Sequence, residues 1–208
     1  MPPGYHIDTL VSMDSLFPTK PIITGSLVQL RPFTEADIEC MGPILADPEL
    51  IKLTGSANTT EEIKKAVPAL DERTLEWYRT REEQTDRLDL AIIDLSNDQC
   101  VGEAVLNAWS PADRSCNYRI LIGPEGRGRG FGSEATSLVI DYAFENTNLN
   151  RISLDVLAFN PRARRAYEKA GFLYEGTSRE AFRFDGEYID DVLMAILRSD
   201  WKRKSSRN

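Results

Sequence analysis

Seven residues, Gly126-Arg127-Gly128-Arg129-Gly130-Phe131-Gly132, follow closely on the apolar run Tyr118-Arg119-Ile120-Leu121-Ile122. A helical pattern follows at once, with Ala135, Leu138, Val139, Tyr142 and Ala143 recurring at one-face spacing. Strand, glycine loop and helix in that order make an anion site. The first backbone N–H groups of a helix have no internal partner, and they carry the positive end of its dipole. Glycine lets a ligand approach that backbone closely. The order predicts a phosphate or pyrophosphate held in the middle of the chain.

Spacing decides which phosphate ligand fits. A P-loop needs Gly-x-x-x-x-Gly-Lys-Ser/Thr, but Gly132 is followed by Ser133 with no lysine. A dinucleotide fingerprint needs Gly-x-Gly-x-x-Gly. From Gly126 its third glycine falls on Phe131, and from Gly128 on Ser133. What remains is Arg-x-x-Gly-x-Gly, formed by Arg127, Gly130 and Gly132. A second string runs from Asn160 to Phe172, Asn-Pro-Arg-Ala-Arg-Arg-Ala-Tyr-Glu-Lys-Ala-Gly-Phe. It reads as a punctuated helix: Asn160 at the N-cap, Pro161 at the first position and Gly171 at the αL position. Ala163, Ala166, Tyr167 and Ala170 form its inward face.

The first spacing resembles the acyl-coenzyme-A loop of the GCN5-related N-acetyltransferases. The second string resembles the Asn-x-x-Ala-x-x-x-Tyr-x-Lys-x-Gly-Phe signature of the same family. A third stretch agrees: Asp185-Gly186 between strand-like runs is a hairpin signal, and Val192 to Leu197 reads as a strand buried on both faces. This ending resembles the spermidine and ribosomal-protein-alanine acetyltransferase branch. The resemblance covers roughly residues 27–201 and is most specific over 115–197. It implies an α/β (α+β) fold with a mixed, mostly antiparallel central sheet flanked by helices. The fourth and fifth strands are then parallel and splayed, with the thioester tail of the cofactor between them.

Composition narrows the classes. A chain of 208 residues with 41% hydrophobic content makes one domain with a core. The division reads as an extended, partly ordered arm over 1–25, a domain over 26–201 and a basic, fraying tail over 202–208. No apolar run has the length of a membrane span, and no signal peptide is evident. Cys40, Cys100 and Cys116 match no zinc spacing and read as reduced thiols, so a cytoplasmic protein without metal is expected. The only histidine is His6, which excludes a core Ser-His-Asp or Cys-His site. A net charge of −8 argues against nucleic acid as a partner; it reads as the charge of an ordinary acidic protein and also suits an amine substrate. A monomer or a homodimer is expected.

Patterning places a strand over 27–33, a helix from Thr34 and a long helical region over 59–81 interrupted near Pro68. An antiparallel pair follows over 88–94 and 100–108, then strands over 115–122 and 152–156, the second helix and the final hairpin.

The resemblance implies acetyl transfer from acetyl-coenzyme A to an amine, either a small cationic amine or a protein N-terminus. The pyrophosphate then meets backbone N–H groups of Arg127, Gly128, Arg129, Gly130, Phe131, Gly132 and Ser133. The pantetheine arm pairs with the backbone at Leu121 and Ile122. Asn160 holds the cofactor arm as well as capping its helix. Arg164, one turn on, is placed to meet a phosphate or to lie solvated at the surface. Tyr167 takes the position of the general acid for the leaving thiolate.

The base is less defined. Relatives often carry Glu where this chain has Asn117, and some use a hydroxyl where it has Ala163. Glu103, Glu180, Asp191 and the acids of 59–86 remain, along with a water chain. Glu103, in an otherwise apolar strand, reads as an outward-facing residue on a half-exposed strand, with the base role as alternative. Trp77, Tyr78 and Trp109 are candidate walls of an acceptor pocket. A non-catalytic acyl-coenzyme-A sensor is the rival class, kept open by Asn117 and opposed by Tyr167. An RNA-binding module is disfavoured by charge.

Overall fold

The computed structural model describes residues 15–205. His6 and the first part of the arm therefore lie outside the described residues.

Eight strands form one sheet in the order β1-β2-β3-β4-β5-β6-β8-β7. They are β1 (Ile23–Thr24), β2 (Val28–Arg31), β3 (Leu88–Asp94), β4 (Gln99–Ser110), β5 (Ser115–Ile122), β6 (Arg151–Leu157), β7 (Leu173–Phe184) and β8 (Glu187–Leu197). Seven α-helices accompany them among the described residues: α1 (Glu35–Leu45), α2 (Pro48–Leu53), α3 (Thr60–Ile63), α4 (Glu72–Arg79), α5 (Phe131–Asn146), α6 (Pro161–Ala170) and α7 (Arg198–Ser205). Every neighbouring pair of strands is antiparallel except β5 and β6. That single parallel pair carries only three partners, Ser115↔Arg151, Cys116↔Ile152 and Asn117↔Ser153. Beyond Asn117, β5 keeps its pairing with β4 as far as Ile122, and β6 keeps its pairing with β8 as far as Leu157. Each half of the sheet is intact, and the two halves diverge between them. The expected splay is present.

Two cores hold the sheet. On one face, α5 presents Phe131, Ala135, Val139, Ile140, Ala143 and Phe144 to Leu88, Leu90, Ile92, Leu106 and Tyr118. On the other, Ile38, Met41 and Ile44 of α1 and Tyr78 of α4 meet Ala91, Ile93 and Leu121. Alternate residues of β3 thus serve opposite faces, so the whole strand is buried. The β6–β8–β7 half is covered less completely. Leu193 is 39% exposed, so β8 is not buried on both faces as its apolar run predicts.

Local signals explain the boundaries. Thr34 and Asp37 make a reciprocal capping box at α1, and the same Asp37 takes Arg31 at 2.5 Å. Asp185 and Gly186 both hold positive φ, +47° and +91°, which a two-residue hairpin turn requires. The interruption expected near Pro68 within residues 59–81 is present: the region divides into α3 and α4, with Pro68 in the connection between them. α2 had its own signal, Asp47 at the N-cap followed by Pro48.

The described part of the N-terminal arm is packed. Phe17 is 1% exposed, and the Leu16 and Phe17 amides donate to Thr85 O. Lys20 Nζ donates to Gln84 O at 2.5 Å and Arg87 O at 2.6 Å. Glu134, in the first turn of α5, accepts the amides of Ser26, Leu27 and Val28, each at 2.8 Å. This ties the start of β2 to the helix that follows the glycine loop.

Gly102 sets the distance between β4 and β5. A Cβ added there lies 2.0 Å from the Leu121 carbonyl oxygen. Gly102→Ala is expected to lower stability by about 1–3 kcal/mol or more, because backbone on both sides must shift. Urea unfolding of the two proteins measures this, and an unchanged midpoint contradicts it.

Candidate active site

The divergence of β5 and β6 opens a cleft of about 490 Å³. One wall is β5 from Asn117 to Ile122, whose β6-facing edge has no strand partner beyond Asn117. The other wall is β6 at Asp155, Val156 and Leu157, with α6 behind it. The glycine loop and the first turn of α5 close one end.

That end suits an anion. Gly130 caps α5 with φ of +88° and supplies no side-chain cap, so the Phe131 and Gly132 N–H groups stay available to a ligand, whereas the Ser133 N–H already donates to Gly130 O at 3.1 Å. Gly128 also holds a positive φ, +74°, and a Cβ there meets nothing within 4 Å, so the loop presents open backbone. Arg127, Arg162, Arg165 and Lys169 line the same cleft. A chain of net charge −8 thus gathers cations at this one surface. A free strand edge, open N–H groups and basic side chains together fit an amide-rich arm ending in phosphates, as acetyl-coenzyme A has.

Most residues expected to hold the cofactor come together here. Leu121, Ile122, Arg127, Gly128, Gly130, Gly132, Ser133 and Asn160 all line the cleft. Asn160 Oδ1 accepts the Ala163 amide at 3.1 Å, so the capping role is present. The side chains of three expected residues point away from the cleft, although for Arg129 and Phe131 the expected donor is the backbone N–H. Phe131 is buried in the core beneath α5. Arg129 makes an ion pair with Asp94 at 2.6 Å and stacks over the Phe131 ring. Arg164 turns outward to Glu168 at 3.0 Å. The signal for the cations that line the cleft was helical phase. Arg162, Arg165 and Lys169 fall at i, i+3 and i+7, beside the inward stripe, whereas Arg164 and Glu168 pair at i, i+4 on another face.

Arg127 is committed within the chain. It donates to the Ile122 carbonyl at 3.2 Å and to Glu49 at 3.0 Å, and it bonds Asp47, the N-cap of α2. Glu49 also takes Arg162 at 2.7 Å. The guanidinium therefore clamps the loop to β5 and α2, leaving the loop backbone as donor.

Tyr167 projects from α6 into the cleft and is only 7% exposed. Its ring packs edge-on against Tyr118 at 6.3 Å and tilted against Phe172 at 5.9 Å. Among the described residues, no hydrogen-bond partner meets its hydroxyl. Burial pushes its pKa well above the ordinary phenol value, and the nearby Asp155 charge pushes the same way. The phenol therefore keeps its proton throughout the physiological range.

Glu103 corrects its expected placement. It is 1% exposed and faces inward from β4, under a second cleft of about 460 Å³. Trp77 and Tyr78 line that cleft as expected, but Trp109 packs against the main core instead. Both carboxylate oxygens of Glu103 are occupied. Oε2 accepts Tyr78 Oη at 3.1 Å and Oε1 accepts Arg119 at 3.0 Å. Arg119 lines both clefts, so Glu103 orients the cation standing between them. Asn117 Nδ2 donates to Asn107 Oδ1 at 3.3 Å. No helix among the described residues is long and apolar enough to cross a membrane.

Comparison with known proteins agrees with this geometry. Residues 28–173 match the family model described as an acetyltransferase (GNAT) domain. A spermidine N(1)-acetyltransferase of Escherichia coli is 31% identical over 134 residues, 61% of this chain and 72% of that protein. Its counterpart from Vibrio cholerae is 39% identical over 92 residues, 44% of this chain and about half, 53%, of that protein. A crystal structure of the Vibrio cholerae spermidine N-acetyltransferase in complex with CoA and spermine superposes with a TM-score of 0.72. It is 26% identical and covers 86% of this chain and 99% of that one.

Burial raises the Glu103 pKa above its ordinary 4.5 despite the opposing Arg119 charge. A carboxyl raised on folding contributes stability at low pH and loses it as pH rises through the folded value. Glu103→Gln keeps the hydrogen-bonding shape without that titration. The melting temperature of the wild type should therefore fall relative to Glu103→Gln as pH rises above 4.5. A constant difference across pH contradicts the assignment.

Proposed function

The chain belongs to the GNAT acetyltransferase family, and on that premise we propose that it acetylates a primary amine of a small cationic acceptor by direct attack in a ternary complex. Acetyl-coenzyme A supplies the activated acetyl group and a thiolate as leaving group. The observation that carries the reading is the loss of β5–β6 pairing after Asn117↔Ser153, which leaves a strand edge free inside the cleft.

Each residue then has a task. The loop and the first turn of α5, from Gly128 to Gly132, present N–H groups to the phosphates. Arg165 and Lys169 add positive charge along the same wall. The β5 edge at Leu121 and Ile122 pairs with the amide-rich arm, as an added strand does. Tyr167 holds a proton at Oη, facing the cleft. A thiol has an ordinary pKa of about 8.5 and a phenol about 10. Because burial raises the phenol further, Tyr167 serves the sulfur first as a hydrogen-bond donor, and its proton passes only as the thiolate charge develops. Glu103 holds Arg119 in place and is assigned a positioning role.

A cationic acceptor is supported by the acidic chain, by carboxylates at Asp71 in the second cleft and Asp155 in the first, and by the spermidine N-acetyltransferases among the relatives. Thiol release from acetyl-coenzyme A across polyamines, aminoglycosides, amino acids and short peptides, with product masses recorded, tests it. Turnover of polyamines is expected. Turnover of peptides alone redirects the acceptor to a protein N-terminus. Cofactor binding with no turnover on any amine favours the sensor.

Tyr167→Phe is expected to lower kcat by about 10²-fold, with coenzyme A affinity unchanged within about twofold, since no binding contact is assigned to the hydroxyl. Steady-state kinetics and calorimetry read the two quantities. Unchanged turnover removes the proton-donor role.

A further inference from the structure

An amine acceptor reaches the protein as an ammonium ion and must lose a proton before its nitrogen can attack. Asn117 cannot take that proton, and both oxygens of Glu103 are already occupied. The register of the parallel pair points to another group. Asn117 and Ser153 are the last partners of β5 and β6. Side chains two residues apart share a face of a strand, so Asp155 faces the same side as Ser153, one step into the opening. It lines the cleft together with Asn117, Arg119 and Tyr167. Its charge is felt at Tyr167, which places the carboxylate near the phenol that serves the sulfur.

A second carboxylate stands behind it. Asp155 pairs with Leu193 and Leu157 pairs with Asp191, so Asp155 and Asp191 are diagonal neighbours on one face of β6 and β8. Asp191 Oδ1 is buried and meets no hydrogen-bond donor. A buried oxygen without a donor calls for one from outside the chain. Burial and the Asp155 charge both raise the Asp191 pKa. An ammonium group seated beside the two carboxylates relieves their repulsion and offers N–H donors.

We propose that Asp155 binds the acceptor ammonium and accepts its proton, with Asp191 positioning that ammonium from the neighbouring strand. This rests on the amine-acetylation reading above. The step balances. One ammonium N–H bond breaks, an O–H bond forms at Asp155, and that proton passes to solvent. The freed lone pair forms the C–N bond as the C–S bond breaks. The second nitrogen proton goes through solvent to replace the one that Tyr167 gives to sulfur. Amide, thiol and one released proton are the products. The other ionisable groups lining this cleft are Tyr118 and Arg119 from β5, Arg127 from the loop, and Arg162, Arg165, Tyr167 and Lys169 from α6; burial keeps both phenols protonated. The four arginines hold their charge at every working pH.

The test uses the full chain with Asp155→Asn, Asp155→Glu and Asp191→Asn, and spermine as the probe. Calorimetry with coenzyme A present reads spermine affinity directly. Asp155→Asn is expected to weaken it at least about fivefold and Asp191→Asn about threefold, with coenzyme A affinity unchanged and Asp155→Glu close to wild type. In thiol release, kcat/KM of Asp155→Asn should fall at least about tenfold at neutral pH and recover towards pH 9.5, where solution supplies free amine. Equal spermine affinity in wild type and Asp155→Asn, including no binding by either, overturns the proposal. So does a wild-type pH profile in the variant. Spermine binding that depends on Asp155 without any acetyl transfer by the wild type instead leaves the site standing and sinks the acetylation reading.

Discussion

Three parallel residue pairs between β5 and β6, and the absence of a fourth, organise the molecule. Had the pairing continued to Ile122, the sheet would be closed and its middle filled by backbone hydrogen bonds. Because it stops at Asn117, the free edge of β5 must find other partners for its polar groups. Gly102 lets β4 lie close against Leu121, and α5 spans the sheet from the core side. Tyr118, Tyr167 and Phe172 form an aromatic group at the base of the opening.

Charge is distributed with the same economy. The protein is acidic overall, yet α6 and the loop present Arg127, Arg162, Arg165 and Lys169 to the cleft. Two of these cations are restrained by Glu49 on α2. The acid lining the opening, Asp155, sits further along, beyond the glycine-loop end. One end of the cleft thus suits an anionic cofactor and the other a cation. Between the first cleft and the second stands Arg119, fixed by Glu103 on the β4 strand.

Much of this was legible in the sequence, for physical reasons. β5 and its glycine loop are specified by apolar residues, punctuation and spacing that admit few alternatives. The α6 string carries its own caps, and Asp185-Gly186 dictates its turn. What was not legible depends on long-range geometry. Glu103 read as outward because strand alternation cannot reveal that α4 covers that face with Tyr78. The break in the 59–81 region was legible from Pro68, but its extent, from Ile63 to Glu72, follows from tertiary packing. Arg164 and Arg165 are adjacent in sequence, and only the helical phase separates the outward-facing residue from the one lining the cleft. Asp155 gave no signal, because its significance lies in the register of β5 against β6.

The most direct measurement of the central claim is amide hydrogen exchange with and without coenzyme A. If the free edge of β5 and the open loop backbone hold the cofactor, protection should rise over residues 118–122 and 128–133, with little change in β1 to β3. Binding without protection at either segment, or with protection confined to the second cleft around Trp77 and Tyr78, would contradict it.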